Sequence, residues 1–191
     1  MNAKLNGFKT WILNPFIFIA GMESLLLGLV LMAGTGCFGY LSGMSFNGIL
    51  DVHFTKKIPF GWHIAEQAIT LSVTILVFYP LGMILSKSRI RLVDVAGTMA
   101  LSRWPMIIVS LFGFFYQPPI DPLKNIGGIL VAGFITILFS IWMIALMYNA
   151  FRISCNVKQG KAVGGFIAGS LISEVISAII FFQLYQHLLR D

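Results

Sequence analysis

Apolar residues run almost unbroken along this chain, and charged residues are confined to short gaps between the runs. No charge occurs from Gln67 to Ser86, from Trp104 to Ile120 or from Asn125 to Phe151. Each stretch is about as long as the roughly 17–25 residues with which a helix crosses a bilayer. Hydropathy places five helices at Phe18–Ser42, Ala65–Ser86, Val95–Tyr116, Ile126–Ala150 and Val163–His187. The period-two alternation of an outer-membrane barrel is absent. The expected fold is therefore an all-α polytopic membrane protein, a bundle of five transmembrane helices. Its loops are too short for a soluble domain, so residues 1–191 are read as one integral membrane domain.

Composition agrees, with 58% hydrophobic residues, 10% charged residues and a mean hydropathy of +0.88, against roughly 25% charged in a soluble domain. Lys4 and Lys9 resemble the basic start of a signal peptide, but the apolar stretch continues past Glu23 to Gly43, so a retained span is expected. Cys37 and Cys155 are too few for a disulfide framework and read as packing residues. The net charge of +6 suits membrane topology and calls for no nucleic-acid partner.

Basic residues in short loops stay in the cytoplasm. Lys4, Lys9, Lys87, Arg89, Arg91, Arg152, Lys158 and Lys161 share one side, against Lys56, Lys57, Lys124 and Arg190 on the other. Eight against four places the N-terminus in the cytoplasm and the C-terminus outside the cell membrane. Between the first two spans, Gly43–Ile64 mixes Asp51, His53, Lys56, Lys57 and His63 with Ile49, Leu50, Phe54 and Phe60. That mixture fits a re-entrant or interfacial segment better than a solvated loop. Trp11 and Pro15, and Trp104 with Pro105, read as headgroup-level anchors.

Small residues recur every four positions in two places: Gly128, Ala132, Thr136 and Ser140, then Gly165, Gly169, Ser173 and Ser177. Such ridges let backbones approach closely in lipid, and they predict that the fourth and fifth spans pack against each other. Gly39 and Gly43 form a further pair of this kind.

An ionisable residue inside a span costs a few kcal/mol unless paired or neutralised, which singles out Glu23, Glu66, Arg103 and Glu174. Counted from Asn14, Asp94 and Lys161, Glu23 and Arg103 lie nine residues into their spans and Glu174 thirteen. At about 1.5 Å per residue the first two lie roughly 14 Å deep and Glu174 roughly 20 Å, a difference the long Arg103 side chain can bridge, and the three are expected to form an Arg103-centred cluster in which one carboxylate pairs with the guanidinium. Near the opposite surface, Asp51, His53, His63 and Glu66 could ligate a divalent metal, although their spacing matches no zinc signature. His-Glu-x-x-His, Gly-x-Ser-x-Gly and phosphate-loop motifs are missing, so neither an enzyme nor a cofactor is expected.

Two stretches carry a family likeness. Val93-Asp94-Val95-Ala96-Gly97-Thr98 runs through Arg103-Trp104-Pro105 into the third span. Trp142 leads through Ala150-Phe151-Arg152 to Lys161-Ala162 and a glycine-rich last span. With five spans and a cytoplasmic N-terminus, the chain resembles the Yip family of Ypt/Rab-interacting membrane proteins, particularly its short prokaryotic members. The resemblance implies a non-enzymatic scaffold or interaction protein of a bacterial inner membrane, with the lipid bilayer, a membrane protein or a second copy as partner. Only about fourteen residues precede the first span here, whereas eukaryotic relatives carry a long N-terminal region; a Rab-binding role is not expected. The alternatives are a small transporter or channel using Glu174, or a divalent-metal-binding membrane protein.

Overall fold

Proline and glycine set the shape of this bundle by deciding where its helices stop. The structure, a computed structural model, describes residues 10–55, 58–116 and 125–188. Lys4, Lys9, Lys56, Lys57, Lys124 and Arg190, all used above for orientation, lie outside the described residues. After a short helical turn and a 3₁₀ turn at Pro15–Ile17, helix α1 (Gly21–Ser42) ends at Gly43. There the left-handed conformation (φ 68°), costly for any residue with a Cβ, reverses the chain. A hairpin follows, in which β1 (Met44–Ser45) pairs antiparallel with β2 (His53–Phe54). Helix α2 is Phe60–Leu85, α3 is Leu92–Ser102, α4 is Pro105–Phe115, α5 is Ile126–Ser154 and α6 is Gln159–Leu188.

Five segments are long and apolar enough to cross a membrane: α1, α2, α3 with α4, α5 and α6. The chain is a multi-pass, all-α membrane protein. Its third span is two helices, because Pro105 has no N–H to donate and its ring would meet the carbonyl one turn back. Helix α3 closes with Arg103 N donating to Ala100 O at 3.3 Å and Trp104 N to Leu101 O at 3.2 Å, and α4 restarts with Pro105 in its first turn. Trp104 lies at the break, edge-on to Trp142 of α5 with ring centroids 4.6 Å apart.

This broken span is the centre of the bundle: 72% of its most apolar stretch is buried, against 17–33% for the other four. It packs on α1, α5 and α2, α2 packs also on α1 and α6, and α5 meets α6 over a smaller area, where Tyr148 lies edge-on to Phe166. The tightest approach is between α1 and α3, where a Cβ on Gly28 would stand 2.5 Å from Leu101 N and 2.7 Å from Ala100 C. In lipid, such close backbone contact supplies the dispersion attraction that hydrophobic burial cannot.

The predicted pairing of the two small-residue ridges does not occur. On α6, a Cβ at Gly169 would meet Phe78 and Leu81 of α2, and one at Gly165 would meet Leu85 of α2 and Phe151 of α5, so this ridge packs chiefly on the second span and touches α5 at one end. On α5, Gly128 faces Tyr116, while Ala132 and Thr136 line a cavity of about 530 Å³ beside the hairpin. A small-residue face shows that something approaches closely, but not which element does so. Gly39, of the expected Gly39/Gly43 pair, faces Met44 O and Phe46 of the hairpin first and His63 of α2 next.

Candidate functional site

The hairpin does not lie over the bundle; it enters it. Phe46, Asn47, Gly48 and Ile49, between the strands, are all buried. From Gly43 to Gly48 an extended chain reaches at most about 16–18 Å, half the roughly 30 Å of a bilayer core. Along α2, Glu66 lies six residues from the helix start, about 9 Å, and it receives Phe46 N at 3.3 Å. Glu174 and Arg103 stand midway along their spans, and both meet the hairpin tip. Helix rise and strand length therefore agree on a tip near the middle of the bundle.

Irregular backbone at this depth is tolerated only if its polar groups find partners within the protein. The side chains supply them. Glu174 Oε2 accepts from Ile49 N at 2.9 Å and from Leu50 N at 3.1 Å, while Arg103 Nη2 donates to Gly48 O at 3.1 Å. Gly48 O and Ile49 N belong to one peptide group. A trans peptide points its N–H and C=O in opposite directions, so the guanidinium and the carboxylate hold that peptide from opposite sides. Its dipole lies between opposite charges and strengthens both bonds. Arg103 and Glu174 thus meet through the hairpin backbone and form no direct ion pair within 4.0 Å among the described residues. Gly48 fits here for lack of a side chain: a Cβ would lie 2.7 and 2.9 Å from the two Glu174 oxygens.

A second polar group holds the hairpin nearer its base. Tyr185 OH lies 2.8 Å from Glu66 Oε1 and 3.3 Å from Asn47 Oδ1; its single proton suits the shorter contact. Thr70 Oγ1 reaches Phe46 O at 3.5 Å. His63 Nδ1, 3.6 Å from Glu66 Oε2, is buried with it. Among the described residues several buried donors have no hydrogen-bond partner, including Arg103 Nε and Nη1 and the hydroxyls of Ser173 and Ser177.

Arg103 and Glu174 are brought to one peptide group and not into the direct pair expected of them, and Glu23 is not brought there at all. The six residues from Pro15 to Ala20 are used in a 3₁₀ turn and an extended link. Glu23 is consequently the third residue of α1, exposed and near the helix start, well short of mid-span. The four-residue metal site is not assembled either. Asp51 and His53 pair at 3.1 Å on the outer arm of the hairpin, half-exposed, while His63 and Glu66 are buried behind it. Among the described residues no group of three His, Cys, Asp or Glu could hold a metal ion. In the outer pair, the hydrogen bond to Asp51 raises the His53 pKa, and the same bond lowers that of Asp51.

Gly48, Asn47, Thr70 and Tyr185 were absent from the sequence reading. Asn47-Gly48 was the available signal, since Asn-Gly is a frequent hairpin turn. The two cavities beside the hairpin are apolar, one of about 530 Å³ against α5 and one of about 190 Å³ where Ile49 and Leu50 face α5 and α6. Neither is lined by Arg103, Glu66 or Glu174. Compared with family models, curated proteins and solved structures, the chain matches none.

Proposed function

We propose that this chain is a non-enzymatic membrane scaffold or interaction protein of the Yip type, in a bacterial inner membrane, with its N-terminus in the cytoplasm and its C-terminus outside. One observation supports the scaffold reading above others: the mid-bundle charges are engaged in holding backbone. A carboxylate already accepting two amide protons, as Glu174 does, is poorly placed to take up and release an ion in every cycle. Its natural role is to make an inserted hairpin stable in lipid. The partner of such a scaffold is the bilayer together with a membrane protein or a second copy.

A small transporter is the second reading, favoured by the Arg103 donors and serine hydroxyls that have no partner among the described residues. Ion flux decides between the two. In proteoliposomes the scaffold reading expects proton and sodium flux no greater than in empty vesicles; flux that disappears in Glu174→Gln would establish transport instead. Orientation is read with Gly160→Cys and Gly61→Cys, since a Cβ at either position meets nothing within 4 Å. An impermeant thiol reagent applied to whole cells should label only Gly61→Cys. Cys155 is unsuited as a native probe, being fully buried, with burial pushing its thiol up to about 11.

A further inference from the structure

The described basic residues at one end of the bundle are divided between two loops. Lys87, Arg89 and Arg91 follow α2; Arg152, Lys158 and Lys161 surround the turn from α5 to α6. Three charges fall short of the roughly four to eight that mark a headgroup-binding cluster, and topology alone would explain each set. The fold joins them. Asn156 Nδ2 donates to Ser88 Oγ at 2.8 Å. Beneath that bond, the Cys155 side chain packs against Gly82 of α2, with Ile90 on the same glycine.

All six basic side chains are exposed. Among the described residues only Arg91 has a carboxylate within 4 Å, Asp94 Oδ2 at 3.7 Å. Glu23 and Asp94 are the acids of this end, in the first turns of α1 and α3, so four positive charges remain in surplus. On the α5–α6 turn, beside the loop that follows α2, lies a cleft of about 400 Å³, lined by Arg152, Asn156 and Lys158 on its polar side and by Ile153 and Val157 on its apolar side.

We propose that this cleft binds the phosphodiester headgroup of an anionic phospholipid. Arg152 belongs to the last turn of a membrane-spanning helix, with its guanidinium 5.9 Å from the Tyr148 ring centre, which sets the cleft at headgroup level. Arg152 and Lys158 match the phosphate charge, Asn156 offers hydrogen bonding, and Ile153 and Val157 suit the start of the acyl chains. A free phosphate would use only the polar half.

The test reconstitutes the full chain with equal phosphatidylglycerol and phosphatidylcholine and reads retained lipid by native mass spectrometry. Phosphatidylglycerol should be enriched, and the enrichment should fall with rising salt. Arg152→Gln with Lys158→Gln should reduce it by about five-fold per charge removed. Arg152→Lys with Lys158→Arg keeps the charge and should keep the enrichment, so a loss due to misfolding is recognised by unequal melting of the two double variants. Equal retention of both lipids, or enrichment untouched by the glutamine pair, would overturn the proposal. Displacement of phosphatidylglycerol by millimolar inorganic phosphate would also overturn it, because the cleft would then be a phosphate site.

Discussion

Arg103 and Glu174, reaching the hairpin tip from two helical spans, and Asp51 and His53, on its outer arm, are two opposite-charge sets that meet one loop a few residues apart, yet they act differently. At the tip Arg103 is buried and Glu174 half-buried, and they bond the backbone between them. On the arm they are 41% and 49% exposed and bond each other at 3.1 Å. Water accounts for the difference. In lipid an unpaired amide or carbonyl costs several kcal/mol, so side-chain charges at depth are most effective where backbone lacks partners. At the surface water satisfies the backbone, and a charge pair gains only a weak, screened attraction.

The largest test of this contrast removes one side of the clamp. Arg103→Leu leaves Gly48 O without its donor and Glu174 without a counter-charge, and should cost about 3–5 kcal/mol, measured by unfolding in detergent. Adding Glu174→Gln should recover part of that loss. Strictly additive effects would mean that the two residues are not coupled through the shared peptide. Gly169→Leu acts at one remove, driving α6 away from Phe78 and Leu81 and carrying Glu174 from the tip; about 1–3 kcal/mol is expected. Gly48→Ala crowds the Glu174 carboxylate directly, should cost about 1–2 kcal/mol, and should cost less in a chain already carrying Glu174→Ala.

The arm gives the smallest effect. His53→Gln should change stability by less than about 1 kcal/mol, and less again in high salt. The sign follows from the shifts. A raised His53 pKa stabilises the fold below its ordinary value of 6.5, and the gain is lost as pH climbs through the raised value. A lowered Asp51 pKa stabilises above 3.8, and that gain is lost as pH falls through the lowered value. The difference between wild type and His53→Gln should therefore be greatest between pH 3.8 and 6.5 and shrink on either side.

The five spans were legible because lipid demands long apolar helices, and hydropathy reads that demand directly. The break in the third was written in Arg103-Trp104-Pro105, although the sequence reading treated the span as continuous. Depth was legible for Arg103 and Glu174, which lie in uninterrupted apolar surroundings. It failed for Glu23, where Pro15 and a 3₁₀ turn consume residues that helix counting had assigned to the membrane. Partners were harder still, because a residue's height in the bilayer says nothing of the direction in which it points. That is why the ridge of Gly165, Gly169, Ser173 and Ser177 was matched to α5 when it packs chiefly on α2. The same limit applies to the two basic loops, whose meeting depends on Asn156 and Ser88, neither of them charged.

The central claim is that the hairpin tip stands at mid-membrane depth, held by Arg103 and Glu174. A nitroxide on Leu50→Cys, in a chain whose Cys37 and Cys155 are replaced by alanine, tests it most directly. Leu50 is 44% exposed beside α6, so the label needs no rearrangement. In bilayers the account predicts strong relaxation by oxygen and little by a water-soluble nickel chelate, matching a label at Val175, the exposed neighbour of Glu174. Nickel access equal to that of a label at Gly61 would place the loop at the surface and contradict the account.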